Sequence, residues 1–358
     1  MRIGIVNDVA LAREALRRVV LSTAEHEVAW MATDGSEAVA MARADRPDLI
    51  LMDLLMPHVD GVEAIRRIMG ESPCAILVVT ASVSGHLSKV YQAMGYGALD
   101  AVDTPILGQK GEIAGAVVLL QKIEIIGRLI GKTGEPPRGA KTSLAGASAG
   151  SSSAHGFRPT TPLIVIGAST GGPQALAAVL AGLPPRMNAA VIIVQHVDSA
   201  FAPGLGEWLS EQSQKPVAII TDGRTIMPGD VLLSGTDDHL ILSDDGRLYY
   251  TVEPRELSYR PSVDVFFSSL ARAWPNPGVA VLLTGMGRDG AAGLLELRGR
   301  GWRTIAQDES TSVVWGMPKA AITLGAAESV LPLSQIARSA AGFISAGVAE
   351  TRRSSPKS

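Results

Sequence analysis

The chain has 358 residues, 46% hydrophobic and 19% charged, with a formal net charge of -3. This is a globular composition long enough for two domains, and it gives no general attraction for nucleic acid or anionic membrane. The single cysteine, Cys74, excludes an intramolecular disulfide and a cysteine-rich zinc site.

Residues 1–8 carry an acid where a signal peptide runs apolar. No apolar stretch approaches the ~18 residues of a bilayer span. A cytoplasmic protein without membrane insertion is expected, in keeping with the reducing compartment that a lone cysteine suits. Over 1–122, runs rich in Ile, Val and Leu at 2–6, 28–32, 49–52, 76–80 and 99–102 read as buried strands. Amphipathic segments at 10–20, 36–44, 61–69 and 87–94 alternate with them. Five repeats of strand then helix predict a parallel sheet with helices on both faces and ligands at the carboxyl edge.

Residues 123–160 hold a final helix region and then a stretch of Gly, Ser, Ala, Pro and Lys without hydrophobic period, a flexible tether. The alternation resumes over 161–345, with strands expected at 163–166, 190–194, 217–220, 279–283 and 303–306. Runs at 230–234 and 239–243, then 247–252 after the turn Asp244-Asp245-Gly246, predict a small antiparallel excursion. The second domain is expected to be α/β, doubly wound and mostly parallel with an antiparallel edge, and 346–358 a polar tail.

Three strand ends of the first domain carry oxygen groups: Asn7-Asp8, Asp53 and Thr80. Asp8 and Asp53 on one edge suit Mg²⁺, which takes one or two carboxylates and keeps waters. The ion would ready Asp53 to attack a phosphoryl donor, and Thr80 would bond the resulting phosphate. Each acid alone is equally a solvated strand-end residue. The combination of Asp53-Leu54-Leu55-Met56-Pro57, Asp60-Gly61, Asn7-Asp8 and Thr80-Ala81 resembles the receiver domain of two-component response regulators. The resemblance covers 1–122 and implies Asp53 as phospho-acceptor, Asp8 and the Leu55 carbonyl as further metal ligands, and Thr80 as switch hydroxyl. Two positions depart from that pattern. Asn7 replaces the first acid of the acidic pair, keeping an oxygen for a metal-bound water, and Thr104 stands before Pro105 where the family has lysine.

In the second domain Gly167-Ala168-Ser169-Thr170-Gly171 follows a strand and matches G-x-S-x-G, a sharp turn that exposes a serine beside a helix N-terminus. A glycine-rich dinucleotide loop is the competing reading, although the acid it wants about 20 residues on is absent at Val194-Gln195-His196. The motif alone leaves both open. His196 ends the next strand in sequence, and the strand at 279–283 runs into a glycine-rich segment holding Asp289, which alone would read as a helix N-cap. Serine, histidine and aspartate at three strand ends make the nucleophile, base and orienter of acyl transfer. Their order, Ser…His…Asp, is not that of ordinary α/β-hydrolases.

With Gln195-His196-Val197, Tyr259-Arg260-Pro261-Ser262-Val263-Asp264, 283–290, Gln307-Asp308-Glu309 and Gly316-Met317-Pro318-Lys319-Ala320, the chain over 161–345 resembles the catalytic domain of chemotaxis protein-glutamate methylesterases, the CheB family. The stretch Gly97–Pro105 looks more like the Wsp-type surface-sensing subgroup than flagellar members. The resemblance implies Ser169 as nucleophile, His196 as general base and Asp289 as its partner, with Thr170 and the Met286 backbone N–H near the oxyanion. It further implies hydrolysis of glutamate γ-methyl esters and deamidation of glutamines on methyl-accepting chemoreceptors. A histidine kinase of the CheA type would be the phosphodonor, and the esterase would need no cofactor. Arg260 either anchors its own loop or holds an acidic stretch of the receptor. The alternative is a receiver fused to an inactive hydrolase that works as a binding module. A DNA-binding regulator is disfavoured, since no basic helix-turn-helix pattern appears.

Overall fold

The computed structural model describes residues 1–81, 87–108, 113–131, 161–197, 199, 201–257 and 260–354. The first sheet comprises β1 (Arg2–Val6), β2 (Glu27–Ala32), β3 (Leu49–Met52), β4 (Ala75–Thr80) and β5 (Asp100–Asp103), all parallel, in the order β2-β1-β3-β4-β5. Every residue of β3 and β4 is buried, so these strands read as unbroken apolar runs rather than alternating ones. The helices are α1 (Ala10–Leu21), α2 (Gly35–Ala44), α3 (Gly61–Glu71), α4 (Leu87–Gly95) and α5 (Ala116–Leu129). The first and last of these pack on one face with Leu16 and Ile123, and the other three on the opposite face with Ala38, Ile65 and Val90. A short antiparallel pair, β6 (Ile106–Leu107) and β7 (Ile113–Ala114), precedes α5.

The chain continues with β8 (Leu163–Ala168), β9 (Ala190–Gln195), β10 (Ala218–Ile219), β11 (Arg224–Thr225), β12 (Val231–Leu233), β13 (His239–Leu242) and β14 (Arg247–Thr251). β15 (Val279–Leu282), β16 (Arg303–Gln307) and β17 (Ser329–Leu331) follow. Seven of these form a wholly parallel sheet in the order β10-β12-β9-β8-β15-β16-β17, while β11, β14 and β13 make a separate antiparallel sheet. The run at 230–234, expected in the antiparallel excursion, is instead the parallel strand β12 between β9 and β10. Its three residues, Val-Leu-Leu, are buried, as befits a strand covered on both faces.

Helices α6 (Gly172–Gly182), α7 (Ala202–Ser213), α8 (Val263–Ala273), α9 (Ala291–Gly299), α10 (Met317–Thr323) and α11 (Leu333–Ser354) cover this sheet. Leu163 and Val165 face α8, α9, α10 and the small sheet, whereas Ile164 and Ile166 face α6, α7 and α11. The last helix runs to Ser354, through most of the expected polar tail. The expected tether falls on 132–160, outside the described residues. At the centre, β8 has β9 on one side and β15 on the other, the kind of switch point at which α/β sheets bind ligands.

Gly61 opens α3 tightly against the end of β3. Its N–H donates to Leu54 O at 3.1 Å, and a Cβ there would stand 1.9 Å from the Asp53 carbonyl oxygen. Gly61→Ala should therefore destabilise the first domain by about 2 kcal/mol, as overpacking against backbone does. Faster hydrogen exchange in peptides covering β3 and α3, with β8 and β15 unchanged, is the expected result.

Candidate active site

The parallel register of β8 and β9 pairs Ala168 with Gln195, and His196 N donates to Ala168 O at 3.0 Å. Ser169 and His196 are thus the next residues out on neighbouring strands. On the other flank Gly167 pairs with Leu282, Ser169 N donates to Thr284 O at 3.0 Å, and Thr284 Oγ1 donates to Thr170 O at 3.0 Å. β8 runs two residues further than the apolar pattern suggests, directly into Ser169. Helix α6 begins only at Gly172, behind Gly171 at φ 75°, a conformation that favours glycine. Gly285 is equally constrained, for a Cβ there would come within 2.8 Å of Ser169 Cβ.

The segment after β15 brings Asp289 to the histidine: His196 Nε2 and Asp289 Oδ2 are 2.8 Å apart, with both side chains about nine-tenths buried. That bond makes Nε2 the protonated nitrogen and Nδ1 the basic one. The helix-cap reading that Asp289 would have alone does not apply, because the N-cap of α9 is Gly290. Its carboxylate instead takes hydrogen bonds from Ser262 Oγ (2.7 Å), Val263 N (2.6 Å) and Asp264 N (3.2 Å) at the start of α8. Burial alone would raise Asp289, but the His196 ring, the Ser262 hydroxyl and the Val263 N–H outweigh it and hold the carboxyl below its ordinary value.

Two residues with no role assigned from sequence complete the geometry. Gln195, almost fully buried, donates through Nε2 to the carbonyls of Ser169 (2.9 Å) and His196 (3.2 Å), tying the two strand ends together. Ser262 is both the N-cap of α8 and a donor to Asp289. The signal available was a serine before the apolar helix at 263–273, a capping pattern that says nothing of which acid it serves. Met286 lies half-buried in the segment after β15. Arg260 donates to the Arg255 carbonyl, the loop-anchoring one of its two readings. Tyr259 lies outside the described residues.

In the first domain Asp8, Asp53 and Thr80 end or follow β1, β3 and β4, which are consecutive in the sheet. Asp53 accepts from Asn7 Nδ2 (2.9 Å), Leu54 N (2.7 Å) and Leu55 N (3.3 Å). Asn7 Oδ1 accepts from Val9 N at 2.8 Å, which leaves its second lone pair for a metal-bound water. Burial raises the Asp53 carboxyl, and the charge of Asp8 adds to the rise. A divalent cation would relieve that repulsion, so the oxygen set of Asp8, Asp53 and the Leu55 carbonyl fits Mg²⁺. Among the described residues no group of three or more His, Cys, Asp or Glu gathers as a metal site, which leaves this two-acid set dependent on the main chain. Thr80 lies close enough to favour the ionised form of Asp53, and its hydroxyl and that of Thr104 are buried with no standard hydrogen bond among the described residues. Lys89 is engaged with Asp60 at 2.8 Å, and Lys110 lies outside the described residues.

A family model described as CheB methylesterase matches residues 164–340, and one described as response regulator receiver domain matches residues 3–116. The protein-glutamate methylesterase/protein-glutamine glutaminase 2 of Cupriavidus metallidurans is 54% identical, over 94% of the chain and 96% of that relative. The chain belongs to the CheB methylesterase family. A Pseudomonas aeruginosa relative, protein-glutamate methylesterase/protein-glutamine glutaminase 3, is 52% identical over 94% of the chain and 98% of its own length. The crystal structure of the Thermotoga maritima CheB methylesterase catalytic domain is 34% identical, covers 52% of the chain and 100% of its own, and has a TM-score of 0.49.

In this CheB-family chain the receiver domain sits against the methylesterase domain through α4. Tyr91, almost fully buried, stacks on Trp208 of α7 with ring centroids 6.0 Å apart, and its hydroxyl donates to Phe201 O at 2.9 Å. Gln174 Nε2 of α6 donates to Met94 O. Met94, Gly97 and Leu99 share a crevice with Gly171, Pro173 and Gln174, the residues that follow Ser169-Thr170. Ser169 itself is only 9% exposed.

Proposed function

We propose that the chain is a phosphorylation-regulated serine hydrolase that removes γ-methyl esters from receptor glutamates and deamidates receptor glutamines. The observation that carries the reading is the His196–Asp289 hydrogen bond formed at the ends of the two strands flanking β8. Ser169 Oγ attacks the ester carbonyl as His196 Nδ1 takes its proton, and Asp289 stabilises the imidazolium. Negative charge on the tetrahedral oxygen falls to N–H donors near Thr170 and Met286, which are set before the reaction begins. Collapse breaks the bond from the acyl carbon to the ester oxygen, or to the amide nitrogen of a glutamine, and the imidazolium gives its proton to that leaving group, which departs as methanol or ammonia. Water activated by the same ring then frees the carboxylate. Nothing in this sequence calls for a cofactor in the esterase.

The proposed division is a receiver at 1–122, a helix end and linker at 123–160, a methylesterase domain at 161–345 and a short tail. Among the described residues no helix is long and apolar enough to cross a membrane, in keeping with action in the cytoplasm on the inner helices of methylated chemoreceptors. A CheA-type histidine kinase is the proposed donor to Asp53. Asp8, Asp53 and the Leu55 carbonyl would hold Mg²⁺, which would supply the positive charge that lets the Asp53 carboxylate approach a phosphoryl group. The buried hydroxyls of Thr80 and Thr104 then take partners on the phosphate. Phosphorylation shifts the equilibrium away from the docked α4, whose contacts with α6 and α7 lie beside the serine turn. Thr104 brings no cation, so this shift is expected to be weak.

Two outcomes follow for methanol release from a methylated receptor segment. Ser169→Ala and His196→Ala should each remove on the order of a thousandfold or more of turnover, with the double variant little worse, because the group acts as a unit. Near-normal release by folded Ser169→Ala would sink the assignment and favour the binding-module alternative. Tyr91→Ala should raise turnover several-fold without phosphodonor by loosening the docked helix, whereas a folded but slower Tyr91→Ala would make the receiver contact an activating one.

A further inference from the structure

Helices α8 and α9 start against each other beside the His196–Asp289 pair, and each carries a carboxylate that binds the other's N-terminus. Asp289 directly precedes the start of α9, yet it accepts from Ser262 Oγ, Val263 N and Asp264 N of α8. Asp264, in the first turn of α8, accepts in turn from Gly293 N at 2.7 Å in the first turn of α9. The exchange is tightly packed. A Cβ at Gly293 would stand 2.9 Å from the Asp264 carbonyl oxygen, and one at Gly290 would stand 2.8 Å from a Val263 methyl.

The first N–H groups of a helix have no partner within it and ordinarily find one on the residue just before. For α9 that service is missing. Gly290, its N-cap, has no side chain, and the oxygens of Asp289 are committed to His196 and α8. Asp264 supplies the acceptor that Asp289 withholds. The arrangement buries two acids close together, and burial, then the charge of Asp289, raises the Asp264 carboxyl well above its ordinary value. Capping alone does not require that cost.

We infer that Asp264 is a positioning residue for the hydrolase: by satisfying the start of α9 it leaves Asp289 turned towards His196. Without it the Gly293 N–H loses its acceptor, and Asp289, one residue ahead of the N-cap of α9, would swing to its own helix and release the imidazole. The inference rests on the assignment of Ser169, His196 and Asp289 above.

The test uses the full chain with Asp264→Ala and Asp264→Asn. It reads kcat and KM for methanol release, and the rate at which a fluorophosphonate labels Ser169 per folded molecule. A purely structural role lowers the folded fraction but leaves that labelling rate unchanged. Asp264→Ala should lose about tenfold to a hundredfold in kcat and in labelling rate, the penalty of a displaced catalytic group, with KM little changed. Asp264→Asn keeps an acceptor oxygen and should recover most of both. If Asp264→Ala does not fold, Asp264→Ser is read in its place. Wild-type labelling rates in the alanine or serine variant would overturn the inference. So would failure of both to fold beside a fully active Asp264→Asn, which would assign Asp264 to stability alone. A wild type that the reagent does not label at Ser169 would count against the proposed function instead, so the two failures are distinguishable.

Discussion

The carboxylate of Asp289 is the constraint on which the second domain depends. Buried acids are costly unless their oxygens are hydrogen-bonded and their charge is compensated. Here the compensation comes from the N-terminus of α8 and from His196, so the approach of α8 to the sheet edge is set by what Asp289 needs. The packing of α8 on α9 through Phe266, Phe267 and Leu294 holds that approach rigid. Glycines at 167, 290 and 293 give way where these elements meet, since side chains there would strike Val263, Phe267 or Asp264. The positive end of a helix, a buried acid and an imidazole thus form one unit, with the serine turn fastened to it through Gln195 and Thr284.

Much of this was legible in the sequence because parallel sheets write themselves plainly. Strands buried on both faces are continuous apolar runs, and their carboxyl ends carry the polar residues, so Ser169, His196, Asp289, Asp8, Asp53 and Thr80 could all be assigned to two edges. Periodicity is blind to partners, which explains the misplacement of 230–234: three apolar residues suit an antiparallel hairpin or a buried parallel strand equally. The role of Ser262 was hidden for a related reason. It caps α8 as a local pattern predicts, but its second bond reaches Asp289, 27 residues away, and no local spacing encodes that. Side-chain orientation was hidden too. Asn7 turns its amide towards Asp53 and its oxygen towards Val9, a choice made by the surrounding donors and acceptors.

The proposed phospho-acceptor site of the receiver half has modest electrostatic means. Asp53 is buried, its carboxyl is raised by that burial, the Thr80 hydroxyl lies close to it, and the position that is lysine in the resembling pattern is Thr104. Such a site is consistent with phosphorylation that depends heavily on a bound cation and moves the switch gently. Among the described residues α4 meets the methylesterase domain through Tyr91, Met94 and the neighbouring turn, with one aromatic stack and two hydrogen bonds at its centre. This contact borders the turn that bears Ser169.

Attack at the acyl carbon is the step on which the proposed reaction turns, and the fate of oxygen tests it most directly. A methylated receptor segment would be incubated with the full chain in heavy-oxygen water, and the methanol and the receptor peptide would both be examined by mass spectrometry. Attack of Ser169 on the carbonyl breaks the acyl–oxygen bond, so the heavy oxygen should enter the new glutamate carboxylate and the methanol should carry none. Heavy oxygen in the methanol, or receptor left unchanged by a folded and phosphorylated protein, would contradict the account.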